Sequence, residues 1–116
     1  MPAPVKPSIS AEDLDKVDIR VGTIVQVQDI PGSDRLVKLI VDLGDHRRQA
    51  VAGLKQERED PREVEGRQAL FVVNLEPRLI RGEVSEAMLF DVGYPDGIVP
   101  VLAVPEKPVP NGSRLG

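Results

Sequence analysis

The chain has 116 residues, a formal net charge of −4 from 15 Lys and Arg against 19 Asp and Glu, and only three aromatic residues, Phe71, Phe90 and Tyr94. An acidic chain of this size is expected to form one domain that buries roughly two-thirds of its surface, so any polyanion must meet it at a local basic patch. With no cysteine and one histidine, His46, it forms neither a disulfide nor a thiolate zinc site, and its few aromatics cannot make a row of base-stacking platforms along a single strand.

Residues 1–7 alternate prolines with small residues, a composition that fixes dihedrals and removes donors, so residues 1–9 are expected to form an extended Pro-rich arm ahead of a domain spanning 10–116. No apolar run approaches about 18 residues and residues 1–10 contain no apolar segment, so the expectation is a cytoplasmic protein without a membrane span or secretory signal. Ser10-Ala-Glu-Asp13 is a weak capping box that predicts one or two helical turns over residues 10–16.

From Asp18 the period changes to two. Ile19, Val21, Thr23, Val25 and Val27 share one face of a long strand, with Gly22, Ile24 and Gln26 opposite, and Gly22 predicts a bulge or bend. After the turn Pro31-Gly-Ser-Asp34, residues 36–43 alternate again, with Val37, Leu39, Val41 and Leu43 on one side, and a third strand follows over 47–53. Asp60-Pro61 reads as an N-cap and first position of a short charged helix within residues 55–67. Residues 68–75 are short and nearly all apolar, as in a buried strand. Residues 78–85 read as loop, 86–92 as a fifth strand, 94–97 as a turn into a strand over 98–104, and 105–116 as an irregular tail on the surface. Five antiparallel strands, a helix between the third and fourth, and a glycine bend in the first describe an all-β fold with short helices, a five-stranded OB-fold barrel.

Catalysis has little to stand on. His46 lies in a predicted hairpin beside Arg47 and Arg48, and no Gly-x-Gly-x-x-Gly or phosphate-loop pattern is present, so a non-enzymatic protein without a cofactor is expected. The carboxylates of residues 57–65 read as a solvated face. Polar and basic residues instead converge after the buried strand, at Asn74, Arg78, Arg81 and Ser85, followed by Met88. Arg78 and Arg81 can fork onto phosphate oxygens, while Asn74 and Ser85 either donate to phosphate or 2′-hydroxyl groups or tie down the loop backbone, and in that second case Met88 belongs to the core.

Val17-Asp-Ile-Arg-Val-Gly22, Gly32-Ser-Asp-Arg-Leu36, Leu39-Ile-Val-Asp-Leu-Gly44, Val73-Asn-Leu75 with Pro77-Arg78, and Ser85-Glu-Ala-Met88 occur in order over nearly the whole chain. Together they resemble the tRNA-binding domain found at the C-terminus of many methionyl-tRNA synthetases, as a free-standing homodimeric protein, and in CsaA-type secretion chaperones. The resemblance implies an OB fold that dimerises through N- and C-terminal extensions and grips the outer corner of tRNA without reading its sequence. Surplus apolar positions at 99–104 and near Leu14 suggest the interface. Carried onto this chain, the tRNA-facing set is Asn74, Arg78, Arg81, Ser85 and Met88, flanked by Arg35 and Lys38 as phosphate contacts. Asp18 and Arg20 are either a supporting ion pair or RNA contacts. Two features depart from the family pattern: Ala87 stands at a usual glycine, and Leu79 stands where a basic residue is usual. The implied function is a tRNA carrier, chaperone or trans-acting synthetase cofactor, with tRNA, a second copy and an aminoacyl-tRNA synthetase as partners. The alternative is a chaperone holding extended preprotein segments in a groove at the dimer interface. Residues 107–112 look more like the CsaA branch and residues 32–43 more like the synthetase branch.

Overall fold

The computed structural model describes residues 3–116, so the first two positions of the expected arm lie outside the described residues. Residues 3–9 are exposed and carry no regular structure. Ser10 then caps a four-residue helix, α1 (Ala11–Leu14), its hydroxyl accepting from the Asp13 N–H at 3.0 Å.

Nine strands follow. In chain order they are β1 (Ile19–Asp29), β2 (Val37–Asp42), β3 (Arg47–Ala52), β4 (Gln68–Val72), β5 (Arg78–Ile80), β6 (Glu83–Ser85), β7 (Met88–Leu89), β8 (Asp91–Val92) and β9 (Val101–Leu102). Five of them make an antiparallel sheet in the order β3-β2-β1-β4-β7. The sheet curls until its edges meet: the Glu86 N–H donates to the Gln49 carbonyl at 2.8 Å, and the Val51 N–H donates to Ser85 Oγ at 3.0 Å. The result is a nearly closed five-stranded OB-type barrel.

Strand β1 is shared between neighbours. Residues 19–23 pair with β4 and residues 23–29 with β2, with a register shift between Ile24 and Gln26. This bulge corrects the simple alternation expected for β1. Ile24 and Val27, three residues apart, both enter the core, while Val25 turns outward. The backbone groups near the bulge are answered by residues 65–67: Gly66 N–H donates to the Ile24 carbonyl at 2.7 Å, Ile24 N–H to the Arg67 carbonyl at 2.9 Å, and Val27 N–H to Glu65 Oε2 at 2.8 Å.

Gly22 is therefore not the bulge. A Cβ there would lie 2.6 Å from Val41 Cγ1 and 2.9 Å from Leu43 Cδ2, so the missing side chain lets β2 cross closely over β1. The alternation read for β2 holds, with Val37, Leu39, Val41 and Leu43 all buried around Ile24 and Phe71.

Three further expectations need correction. The charged helix over 55–67 is a single 3-10 turn at Pro61–Val64, capped by Asp60 Oδ1 at 3.0 Å from Arg62 N. Val64 is the one residue of that turn in the core, too little apolar surface to hold a longer helix against the barrel. The expected loop at 78–85 is a hairpin in which Ile80 faces Glu83 across two turn residues, Arg81 with φ 52° and Gly82 with φ 80°. Positive φ at both central positions is the mirror-image turn whose twist suits a hairpin. Finally, the fifth strand divides at Phe90, because β7 pairs with β4 while β8 pairs with β9.

The tail is held as expected, by backbone bonds to the edge of β1. Val21 N–H donates to Ser113 O at 2.9 Å, Gly112 N–H to Val21 O at 2.7 Å, and Leu115 N–H to Ile19 O at 3.0 Å. Gln68 grips it too, accepting from Val109 N at 3.1 Å and donating to Val109 O at 2.6 Å.

Two stability outcomes follow from these backbones. Gly22→Ala should cost about 1–3 kcal/mol through overpacking, seen as a lower urea midpoint at unchanged slope. Arg81→Asn should relieve a left-handed backbone that suits asparagine better and add about 1 kcal/mol, seen as a higher thermal midpoint.

Candidate functional site

The hairpin of β5 and β6 is fastened to the barrel by its second strand. Ser85 Oγ accepts from the Val51 N–H at 3.0 Å and lies 3.2 Å from the Ala87 carbonyl to which it donates. Gln49 Nε2 donates to the Val84 carbonyl at 2.7 Å, and Gln49 N–H donates to Glu86 Oε1 at 3.1 Å. Nearer the turn, Lys38 Nζ meets Glu83 Oε2 at 3.3 Å. Between the hairpin and the sheet lies a cleft of about 100 Å³ whose lining includes Val51, Arg78, Ile80, Ser85 and Met88.

The structure brings Arg78, Ser85 and Met88 together in that cleft and ties Lys38 to the same hairpin through Glu83. Met88 is 43% exposed, so it is not a core residue. Arg81 projects at the hairpin turn, fully outside the cleft lining. Neither Arg78 nor Arg81 has a hydrogen-bonding or ionic partner among the described side chains. Arg35 is exposed and apart from the cleft, its stem packed within about 3.4 Å of the Cβ position of Gly53.

Asn74 is exposed, and its amide is tied not to the backbone of its own loop but to the segment ahead of β1. Its Nδ2 donates to the Lys16 carbonyl at 2.6 Å and its Oδ1 accepts from Asp18 N–H at 2.8 Å, so both ends of the amide hold the chain between α1 and β1. Ser85 is likewise engaged with backbone, though across the barrel seam and not only within its own loop.

Asp18 and Arg20 form a two-pronged ion pair, with Nε and NH2 each 3.0 Å from a carboxylate oxygen. The hydrogen bonds from Arg20 hold the Asp18 carboxyl below the ordinary aspartate range, against the opposing effect of burial. Arg48 is similarly occupied: NH1 donates to the Val73 carbonyl and, at 3.3 Å, to the Glu86 carbonyl, while Nε lies 3.2 Å from His46 Nε2. The other ring nitrogen of His46 faces Asp45 Oδ1, and this contact lowers the Asp45 carboxyl below its usual value. The His46 ring sits between the Arg48 guanidinium and the Asp45 carboxylate. Its partners are thus a carboxylate and a guanidinium, and no hydroxyl is hydrogen-bonded to it among the described residues.

Gln49, Arg48 and Glu86 were not singled out in the sequence. Their role is to seal the seam between β3 and the hairpin, and nothing local in Arg-Arg-Gln or Ser-Glu-Ala marks a pairing more than 30 positions away. The hairpin itself had a local signal, Arg81-Gly82 between Leu-Ile and Glu-Val-Ser.

Residues 19–114 match the family model described as "Putative tRNA binding domain". Among curated proteins, the chain is similar to the methionine–tRNA ligase of Lactiplantibacillus plantarum, 38% identical over 111 residues that cover 95% of this chain and 16% of the ligase. It is 42% identical to that of Thermococcus kodakarensis over 107 residues, covering 92% of this chain and 14% of the ligase. The chain thus spans about one-sixth of the length of these relatives. Among solved structures, a MetRS-related protein from Pyrococcus horikoshii superposes with a TM-score of 0.87 at 32% identity, covering 96% of this chain and all of the other. The chaperone CsaA from Bacillus anthracis superposes with a TM-score of 0.82 at 28% identity, covering 95% and 100%. The barrel, its seam and the hairpin built on it are accordingly those of a member of the tRNA-binding domain family, to which this chain belongs.

Proposed function

We propose that this protein is a non-catalytic, structure-specific tRNA-binding protein of the cytoplasm, acting as a homodimer that carries or chaperones tRNA or serves an aminoacyl-tRNA synthetase in trans. One observation supports this above others: on a chain of net charge −4, Arg78 and Arg81 stand without acidic partners among the described residues on a hairpin fastened to the barrel, while Arg20, Arg48 and Lys38 are engaged within the fold. Free guanidinium groups on a rigid mount suit the phosphates of a folded RNA. In this reading Arg78 and Arg81 contact phosphate, Arg35 and Met88 extend the contact, and Lys38, Asn74 and Ser85 position the surface.

The dimer has its own support. Apolar side chains at the positions proposed for the interface are exposed, Leu14 by 58%, Val99 by 66%, Val101 by 56% and Val104 by 47%. Two copies joined there would place two pairs of arginines on one assembly and widen the basic surface.

A second reading is favoured by the full-length likeness to the CsaA chaperone: extended preprotein segments lie in an apolar groove of the dimer. Reversing charge separates the two. Arg78→Glu with Arg81→Glu should abolish binding of bulk tRNA in a gel-shift titration, and wild-type affinity should fall steeply with salt as counterions are released. Undiminished tRNA binding by the double variant would remove the arginine hairpin from the mechanism, and peptide binding that survives the reversal would favour the groove. Sedimentation at micromolar concentration should give a dimer that Val99→Asp with Val101→Asp dissociates; a wild-type monomer would end the homodimer proposal.

A further inference from the structure

The hairpin of β5 and β6 has two unlike faces. Residues directly opposite on paired strands share a face, so Arg78 with Ser85 and Ile80 with Glu83 lie on one side and Leu79 with Val84 on the other. The first side is turned to the barrel, where Ser85 meets Val51, Glu83 meets Lys38, and Arg78 and Ile80 line the cleft. The second side is turned to solvent, yet it is aliphatic: Leu79 is 74% exposed and Val84 44%. The water-facing side of a hairpin is ordinarily polar. Arg81, held at positive φ, stands at the end of this aliphatic shelf with its guanidinium unpartnered among the described residues.

A second copy of the chain is a poor occupant. Two aliphatic side chains fall far short of the roughly 800 Å² that each partner buries in a stable dimer, and a two-fold contact on this patch would bring each Arg81 toward its own copy. An RNA surface suits both halves of the shelf, because a nucleotide offers an apolar ribose and base face next to an anionic phosphate.

We infer that Leu79 and Val84 form an apolar shelf against the ribose and base face of an unstacked nucleotide, with Arg81 holding the adjoining phosphate. This rests on the tRNA-binding reading of the same hairpin and adds a contact that is not electrostatic. The two kinds of contact differ in a measurable way. Losing a phosphate contact lowers both affinity and the steepness of its salt dependence, whereas losing an apolar contact lowers affinity equally at every salt concentration.

The experiment titrates unfractionated tRNA with the full chain and with Leu79→Ala, Val84→Thr and Arg81→Gln at four salt concentrations. Circular dichroism checks that each variant is folded, which the exposure of Leu79 and the isosteric change at Val84 favour. Leu79→Ala should weaken binding about tenfold, the effect of removing roughly two buried methylene equivalents, with the slope of log affinity against log salt unchanged. Arg81→Gln should flatten that slope by about one. Affinity within twofold of wild type for both Leu79→Ala and Val84→Thr would overturn the shelf while leaving the arginine hairpin standing. A slope change in Leu79→Ala would also overturn it, since the residue would then act by placing the arginines. Absence of tRNA binding by the wild-type chain at low salt would overturn both readings together.

Discussion

The eleven residues of β1 must satisfy backbone donors and acceptors along both edges, and no one neighbour is long enough to do so. β2 serves the second half and β4 the first, and the opposite edge of the first half is taken by residues 112–115 of the tail. Near the exchange the strand bulges, and residues 65–67 answer the groups left there. This sharing bends a flat meander into a barrel. It also decides which side chains make the core: with the bulge, Ile24 and Val27 both point inward and Gly22 lies beneath Val41 and Leu43.

Closure of the barrel in turn places the hairpin. The free edge of β3 would otherwise present unpaired amides, and it is covered by Ser85 and Glu86 through a mixture of backbone and side-chain bonds. Arg48 reaches across the same seam to the carbonyls of Val73 and Glu86. The hairpin that carries Arg78 and Arg81 therefore stands on the element that completes the sheet. Its mount is as rigid as the seam itself, a useful property for recognising the shape of a folded partner rather than a flexible strand.

Charge is divided accordingly. Of the basic side chains on the barrel, Lys38 is paired with Glu83, Arg20 with Asp18, and Arg48 with carbonyls and His46. These groups were equally basic in the sequence, yet their charge is absorbed by the fold. Asn74 shows the same absorption among amides: both of its polar atoms bind backbone of the 16–18 segment, more than 50 positions earlier. Alternation in residues 37–43, the Asp60-Pro61 cap and the Pro-Asp-Gly turn near residue 96 were legible because each depends on residues close in sequence. The hairpin at 78–85 is less legible from its neighbours, because Arg81 is an unusual occupant of a left-handed turn position that asparagine or aspartate more often fills.

By itself the sequence determined the strand-rich architecture, the inward face of β2, the family resemblance and the neighbourhood in which a basic site would form, since periodicity, turn residues and motif order are properties of adjacent positions. The tertiary structure alone decided the phase of β1, which arginines remain free, and which face of the hairpin is aliphatic. Those features depend in large part on contacts between residues 25 to 45 positions apart, such as Val27 with Glu65, Lys38 with Glu83, Arg48 with Val73 and Val51 with Ser85, and one inserted residue at the bulge is enough to exchange the inside of a strand for its outside.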